Sequence, residues 1–225
     1  MDAVNGESPK PKVGRPKGRT GTKEKIMDTA IDLFSNRGYE AVSMQDIADA
    51  VGIRKSSIYN HFKSKDQILQ SILSYFNQEL SQSDMKRQGE EKIIETYLNT
   101  LGPAGLMAAV GKQFEDFLNT PKMRKIWRMI AMEVYRNAMI RSFFEREMID
   151  RPSRFWEKAF RFMISRGMIR QTDVATLARE FQSFQIYLQV KYLALFNDEE
   201  PEVFRSAIEK DQVSHVKFYM EMLKV

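Results

Sequence analysis

Four residues that cap helices or form turns punctuate a periodic stretch near the N-terminus and constrain its fold more than any other feature. From Thr22, apolar residues recur at helical spacing until Gly38, which suits a left-handed helix cap. Ser43 is a good N-cap for a short helix that ends at Gly52, and Ser64 caps a longer one. No segment alternates as a strand would. The pattern predicts a small helical unit with tight turns.

Each predicted helix has one apolar face, which we expect to form the core. These faces comprise Ile26, Ala30, Leu33 and Phe34, then Met44, Ile47, Ala48 and Val51, and finally Ile68, Leu69, Ile72, Leu73, Phe76 and Leu80. The last helix should run from Ser64 to about Ser81.

The stretch VGIRKSSIYNHF, residues 51 to 62, is predicted to be the second helix of a helix-turn-helix. Its apolar residues Ile53, Ile58 and Phe62 should face the core. The side chains left outside are Arg54, Lys55, Ser56, Ser57, Asn60 and His61. In this motif the second helix enters the major groove, where donors and acceptors meet base edges and phosphates. The composition therefore predicts a partner of double-stranded DNA.

The run from Lys25 to Leu73 contains the patterns A-x-x-L-F, G-Y, a hydroxyl residue before D-I-A, V-G-I, and S-x-Y-x-H-F-x-S-K. In this combination it closely resembles the DNA-binding domain of the TetR (tetracycline repressor) family of transcriptional regulators. The resemblance implies an all-α homodimer whose divergent C-terminal domain binds a small-molecule effector and then releases the operator.

The resemblance also implies roles for single residues. Phosphate contacts fall on Ser43, Tyr59, His61 and Lys65, base contacts on Gln45, Lys55, Ser56, Ser57 and Asn60, and either role on Arg54. Three alternatives stay open: His61 as a core-side histidine, Tyr59 as a packed ring, and Lys65 as a solvated charge. Family members often have a small residue such as glycine in place of Ser57 and an aromatic in place of Asn60, so the operator need not resemble that of any relative.

The N-terminal arm, residues 1–21, is rich in Pro and Gly and is predicted to be disordered in isolation. Residues 9–23 carry a charge of +6, which leaves −1 for the rest of a chain whose net charge is +5 (5 − 6). The segment PKVGRPKGR resembles an AT-hook, in which Arg15, Lys17 and Arg19 would contact the minor groove. Val13 departs from a fuller hook. Nonspecific electrostatics or a solubilising tail are the alternatives.

Residues 22–66 are predicted to be the DNA-binding domain and residues 67–225 a helical domain for effector binding and dimerisation. Helix breaks are expected near Gly102-Pro103, Thr120-Pro121, Arg151-Pro152, Gly167 and Asn197 to Pro201. Two long helices, over 173–196 and from Pro201 to the C-terminus, should form a four-helix bundle with their symmetry mates, as the resemblance implies. Dimerisation also follows from the motif, since one recognition helix reads only a few base pairs.

The effector is expected to be small and apolar or aromatic, because the C-terminal domain is rich in Met and aromatic residues. Candidate contacts are Trp127, Met132, Phe155, Phe162, Met163, Phe181, Phe184 and Gln185. Each of these is individually more consistent with simple core packing. Glu133 could bind an effector, but solvation or pairing with a nearby Arg fits better.

Several classes of function are disfavoured. The chain has no Cys, and no metal-ligand spacing, phosphate-binding loop or nucleophile-base pair is visible, so neither an enzyme nor a metal or cofactor site is expected. No apolar run is long enough for a membrane span, and a cytoplasmic location is expected. The alternative to an effector-controlled repressor is an architectural or partner-controlled DNA-binding regulator without a small-molecule ligand.

Overall fold

The computed structural model describes residues 18–81, 89–118, 120–195 and 201–225. Within them the structure is all-α, as predicted. The helices are α1 (Gly18–Arg37), α2 (Met44–Val51), α3 (Lys55–Tyr59), α4 (Lys65–Ser81), α5 (Glu90–Leu118), α6 (Pro121–Glu133), α7 (Ala138–Phe144), α8 (Arg151–Ser165), α9 (Val174–Gln189) and α10 (Pro201–Met222). Two π-helical segments, Glu145–Asp150 and Val190–Leu195, follow α7 and α9.

The N-terminal helices confirm the predicted caps. Gly38 has φ +80° and its amide donates to the Phe34 carbonyl at 3.0 Å, which ends α1. Gly52 has φ +79° and its amide donates to the Ala48 carbonyl at 3.0 Å, which ends α2. The helix α1 begins at Gly18, before the predicted start at Thr22. The arm as far as residue 17, with Arg15 and Lys17, lies outside the described residues, as does the side chain of Arg19.

Two predicted features were wrong. The helix α3 spans five residues and ends at Tyr59, so Asn60 and His61 lie in the turn that returns Phe62 to the core. At Arg151-Pro152 the chain does not break: Asp150 has φ −66° and ψ −48°, and the helix continues from the π-helical segment into α8. Pro152 fits within this continuous stretch because its ring keeps φ at a helical value, although it lacks the N–H that would reach the Met148 carbonyl four residues earlier.

The other breaks agree with the structure where it describes them. Gly102 has φ +68° and kinks α5, Thr120 caps α6, and Gly167 with φ +64° follows α8. The break from Asn197 to Pro201 lies largely outside the described residues.

Two apolar clusters form the core. The first joins the predicted DNA-binding helices to α6 and α7, with Phe76 of α4 packed edge-on against Phe117 and Phe143. The second lies between α5, α8, α9 and α10 around Trp156 and Phe181. The first cluster spans the domain boundary predicted between residues 66 and 67, because α4 packs against helices from both halves of the chain.

Candidate nucleic-acid interface and ligand cavity

The helix α3 presents a polar surface on a short, well-anchored support. Ile58 is fully buried beneath it and Phe62 nearly so. The side chains of Arg54, Lys55, Ser56, Tyr59 and Asn60 are exposed, and those of Ser57 and His61 are half-buried. Lys25 ties α1 to the end of α2, where its Nζ donates to the Val51 carbonyl at 3.0 Å. The predicted base and phosphate contacts on α3 and in the turn after it are therefore at least partly accessible.

Two predicted contacts on α2 already have partners within the helix. The Ser43 hydroxyl accepts from the Asp46 amide at 3.1 Å and donates to the Asp46 carboxylate, while the Ser43 amide donates to that carboxylate at 2.8 Å. This capping box holds the pKa of Asp46 below its ordinary value. Gln45 is exposed and donates to Asp49 at 2.7 Å. Ser43 thus fixes the start of α2 whether or not it also meets a phosphate.

Tyr39 connects the first turn of α4 to the turn between α1 and α2. Lys65 Nζ donates to the Tyr39 carbonyl at 2.8 Å and lies 4.1 Å from the centre of its ring. The Tyr39 hydroxyl donates to Asp66 at 2.5 Å. Burial and this hydrogen bond raise the pKa of Tyr39 well above its usual range. Lys65 is therefore held in place by the protein and is not a freely solvated charge.

Glu133 links this same turn to the C-terminal half. Its side chain is buried, and its Oε1 accepts from the Tyr39 amide at 2.9 Å. A Cβ at Gly38 would lie 3.1 Å from that oxygen, so glycine permits the close approach. The expected solvation or arginine pairing of Glu133 was wrong: its carboxylate is buried and accepts from the backbone amide of Tyr39, 94 residues earlier in the sequence.

An apolar cavity of about 380 Å³ lies at the far end of α4. Eight of its sixteen lining residues are apolar and eight are polar or charged, but apolar atoms form most of the surface of its wall. It is lined by Glu79, Leu80, Glu90, Val110, Gln113, Phe114, Phe117, Glu147, Met148, Arg151, Pro152, Phe155, Trp156, Gln182, Gln185 and Gln189. The size and lining suit a small, mainly apolar organic molecule.

The predicted effector contacts mostly lie elsewhere. Phe155 and Gln185 line the cavity. Trp127, Met163 and Phe181 are buried in the two core clusters, and Met132 is exposed. Phe184 stacks on the His215 ring with centres 3.7 Å apart, and Phe162 lies against Arg166. Helical spacing identified apolar faces in the sequence, but it could not separate cavity walls from packed core.

The charged residues at the cavity are mostly paired with the protein. Glu147 is bound by Arg146 at 2.8 Å and by Arg151 at 3.2 Å. Burial acts to raise the pKa of Glu147, but the hydrogen bonds from both arginines outweigh it and hold the pKa below its ordinary value. Glu90 pairs with Lys158 at 2.7 Å. Because these charged side chains already form ion pairs within the protein, the cavity favours a ligand without a charge.

The sequence did contain a pattern that indicates the part of the cavity wall formed by α9. Gln182, Gln185 and Gln189 occupy one face of α9 at i, i+3 and i+7, and two of them are buried. Three amides on the inner face of a helix are uncommon in a packed core. That spacing was available before the structure and could have indicated a cavity with hydrogen-bonding groups.

Exposed apolar side chains lie on the last two helical regions. Tyr187, Val190, Val213 and Phe218 are each 47–62% exposed. Such residues suit the predicted contact between two copies of the chain. None of the helices in the described part of the chain is long and apolar enough to cross a membrane. No cluster of three metal-ligating side chains occurs among the described residues.

Residues 26–72 match the family described as bacterial regulatory proteins, tetR family. The chain is 32% identical over 143 residues to YerO of Bacillus subtilis, an uncharacterized HTH-type transcriptional regulator, covering 55% of this chain and 47% of YerO. It is 48% identical over 56 residues to IcaR of Staphylococcus aureus, a negative regulator of the biofilm operon icaADBC, covering 24% of this chain and 30% of IcaR. The chain thus spans about half or less of the curated relatives it matches.

A solved structure resembles this chain over most of its length. AibR in complex with isovaleryl coenzyme A and operator DNA matches 90% of this chain and 97% of its own, with a TM-score of 0.60 and 20% identity. At that identity the likeness establishes the fold alone. YerO and IcaR are both named as transcriptional regulators.

Proposed function

Since residues 26–72 match the tetR family of bacterial regulatory proteins, we propose that the chain is a TetR-family repressor, released from a palindromic operator by an apolar small molecule. It would act as a cytoplasmic homodimer, with α3 of each copy in successive major grooves. Two relatives support this proposal: IcaR, which is 48% identical over 56 residues, is a negative transcriptional regulator, and AibR was solved in complex with isovaleryl coenzyme A and operator DNA.

One observation carries this proposal. The helix α4 begins at Lys65, beside α3, and its other end contributes Glu79 and Leu80 to the cavity wall. A ligand in the cavity therefore touches the helix whose first turn positions the DNA-binding surface. Because groove registry fixes the spacing of half-sites at about 34–36 Å, a small pivot of α4 in each protomer would suffice for release.

The first test is selection of bound DNA from a random pool by the purified full-length chain. We expect an inverted repeat, with half-sites about one helical turn apart. Exchange of Asn60 for Ala should relax base preference within a half-site, whereas exchange of the exposed Lys63 on the following turn serves as a matched control. Enrichment of A·T-rich DNA without dyad symmetry would contradict the proposal and support the architectural alternative, with the N-terminal arm as the main DNA contact.

A further inference from the structure

Two glutamines on α9 are equally buried but differ in their hydrogen bonding. Gln182 is 5% exposed and its Nε2 donates to the Met148 carbonyl at 2.9 Å. Gln189, two turns further along α9, is 4% exposed, and its Oε1 is buried with no hydrogen-bond partner in the protein. Both line the 380 Å³ cavity. A buried amide oxygen without a partner is costly and rare in native structures.

From this contrast we infer that the cavity binds a neutral, mainly aromatic or aliphatic molecule that carries one hydroxyl or N–H group, and that the Gln189 side chain turns toward the cavity so that its Oε1 accepts a hydrogen bond from that group. The inference rests on the proposed function only in taking this cavity as the effector site. It goes further by assigning the chemical class of the ligand and the residue that selects it.

The rest of the wall supports a neutral ligand. Phe114, Phe117, Phe155 and Trp156 offer ring faces and edges to an apolar body. Glu147 and Arg151 neutralise each other, and Glu90 has Lys158, so a charged ligand would compete with ion pairs already formed. Burying an unpaired ligand charge against apolar walls would cost far more than one amide hydrogen bond returns.

The hydrogen-bonding capacity of the wall supports a ligand that donates. The position of Gln182 is fixed by its donor bond to the Met148 carbonyl, which Pro152, four residues later, cannot reach because it has no N–H. The Oε1 of Gln189 has no hydrogen-bond partner in the protein, so it can accept a hydrogen bond from a ligand. A ligand with acceptors only, such as an ether, cannot donate to Gln189 Oε1 and would leave that atom without a hydrogen bond.

The first experiment compares Gln189→Leu with its matched control Gln182→Leu in thermal unfolding of the full-length chain. We expect Gln182→Leu to lower the melting temperature, because it strands the Met148 carbonyl. We expect Gln189→Leu to leave it unchanged or raise it, because no bond is lost. An equal loss in both variants would show that Gln189 is already satisfied, for example by water in the adjoining cavity of about 10 Å³, and would overturn the inference.

The second experiment uses 4-phenylphenol, 4-methoxybiphenyl, biphenyl-4-carboxylate and 4-octylphenol as probes in thermal-shift titrations. We expect the phenols to bind roughly tenfold more tightly than the ether, with no binding of the carboxylate, and the preference to vanish in Gln189→Leu. Equal binding of phenol and ether, preference for the carboxylate, a preference that survives in Gln189→Leu, or no binding by any probe would overturn the inference.

Failure of this inference and failure of the proposed function give different results. If the phenols bind with the expected preference but do not weaken operator binding, the ligand class stands and effector-controlled release fails. If operator DNA is bound and the probes show no preference for a donor, the ligand class fails while the DNA-binding role stands.

Discussion

The two ends of α4 lie in opposite kinds of surroundings. At its start, Lys65 and Asp66 are joined to Tyr39 by hydrogen bonds, and Tyr39 is joined in turn to Glu133. At its other end, Leu80 borders an open cavity. The near end is thus fixed in one arrangement by directional bonds, whereas the far end can adjust to what fills the space beside it. In the proposed mechanism, such a helix transmits a displacement from the cavity to the predicted DNA-binding surface.

Phe76, between the two ends, should give the largest effect on stability. It is fully buried and contacts Phe117 and Phe143 edge-on, so α4 is held to the C-terminal half at this residue. We expect Phe76→Ala to lower the free energy of unfolding by about 3–5 kcal/mol, measured by urea denaturation. The exposed neighbour Ser74→Ala is the control. A change below about 1 kcal/mol would mean that α4 is not anchored there.

Removing the acceptor at Glu133 tests the fixed end. Glu133→Leu leaves the Tyr39 amide without its partner and should lower the free energy of unfolding by about 1–3 kcal/mol. Glu133→Gln keeps an oxygen acceptor and should cost less in the same urea titration. Equal losses in both variants would indicate that the carboxylate charge, and not the bond to Tyr39, stabilises the contact.

His215 provides a pH-dependent test in the C-terminal half. Burial lowers its pKa from 6.5 to about 4. Below about pH 6.5 the unfolded chain binds a proton that the folded chain accepts only near pH 4, so this contribution to stability is present above pH 6.5 and is lost as pH falls toward 4. The difference in stability between wild type and His215→Phe should shift by on the order of 1 kcal/mol between pH 7.5 and 5.5. A pH-independent difference would place this ring in water.

Lys65 should give the smallest change, in the salt dependence of DNA binding. Lys65→Ala should weaken binding to operator and random DNA alike and reduce the log-log salt slope by up to about 1. An unchanged slope, with lower stability, would mean that Lys65 serves only to hold Tyr39.

The local part of this structure was predictable and the non-local part was not. The caps at Gly38, Ser43 and Gly52 are set by residues a few positions apart, and they were found where the sequence predicted them. The early end of α3 at Tyr59 depends on Phe62 returning to a core built by distant helices.

Tertiary contacts also determine which apolar residues line the cavity. Whether an apolar face on α5, α6 or α9 meets another helix or an open space is not encoded in its spacing, so Trp127 and Phe181 lie in the core while Val110 and Phe114 of α5 line the cavity. Likewise Glu133 finds its partner at Tyr39, far away in sequence. The polar face of α9 was the exception, since its glutamine spacing can be read directly from the sequence.

The most direct test of coupling between the two ends of α4 is the dissociation constant for the selected operator with and without saturating 4-phenylphenol, followed by fluorescence anisotropy. Gln189→Leu at the same phenol concentration is the control. We expect the phenol to raise the dissociation constant of the wild type by roughly tenfold or more, and that of the variant much less. An unchanged operator affinity, while thermal shift shows the cavity to be occupied, would contradict it.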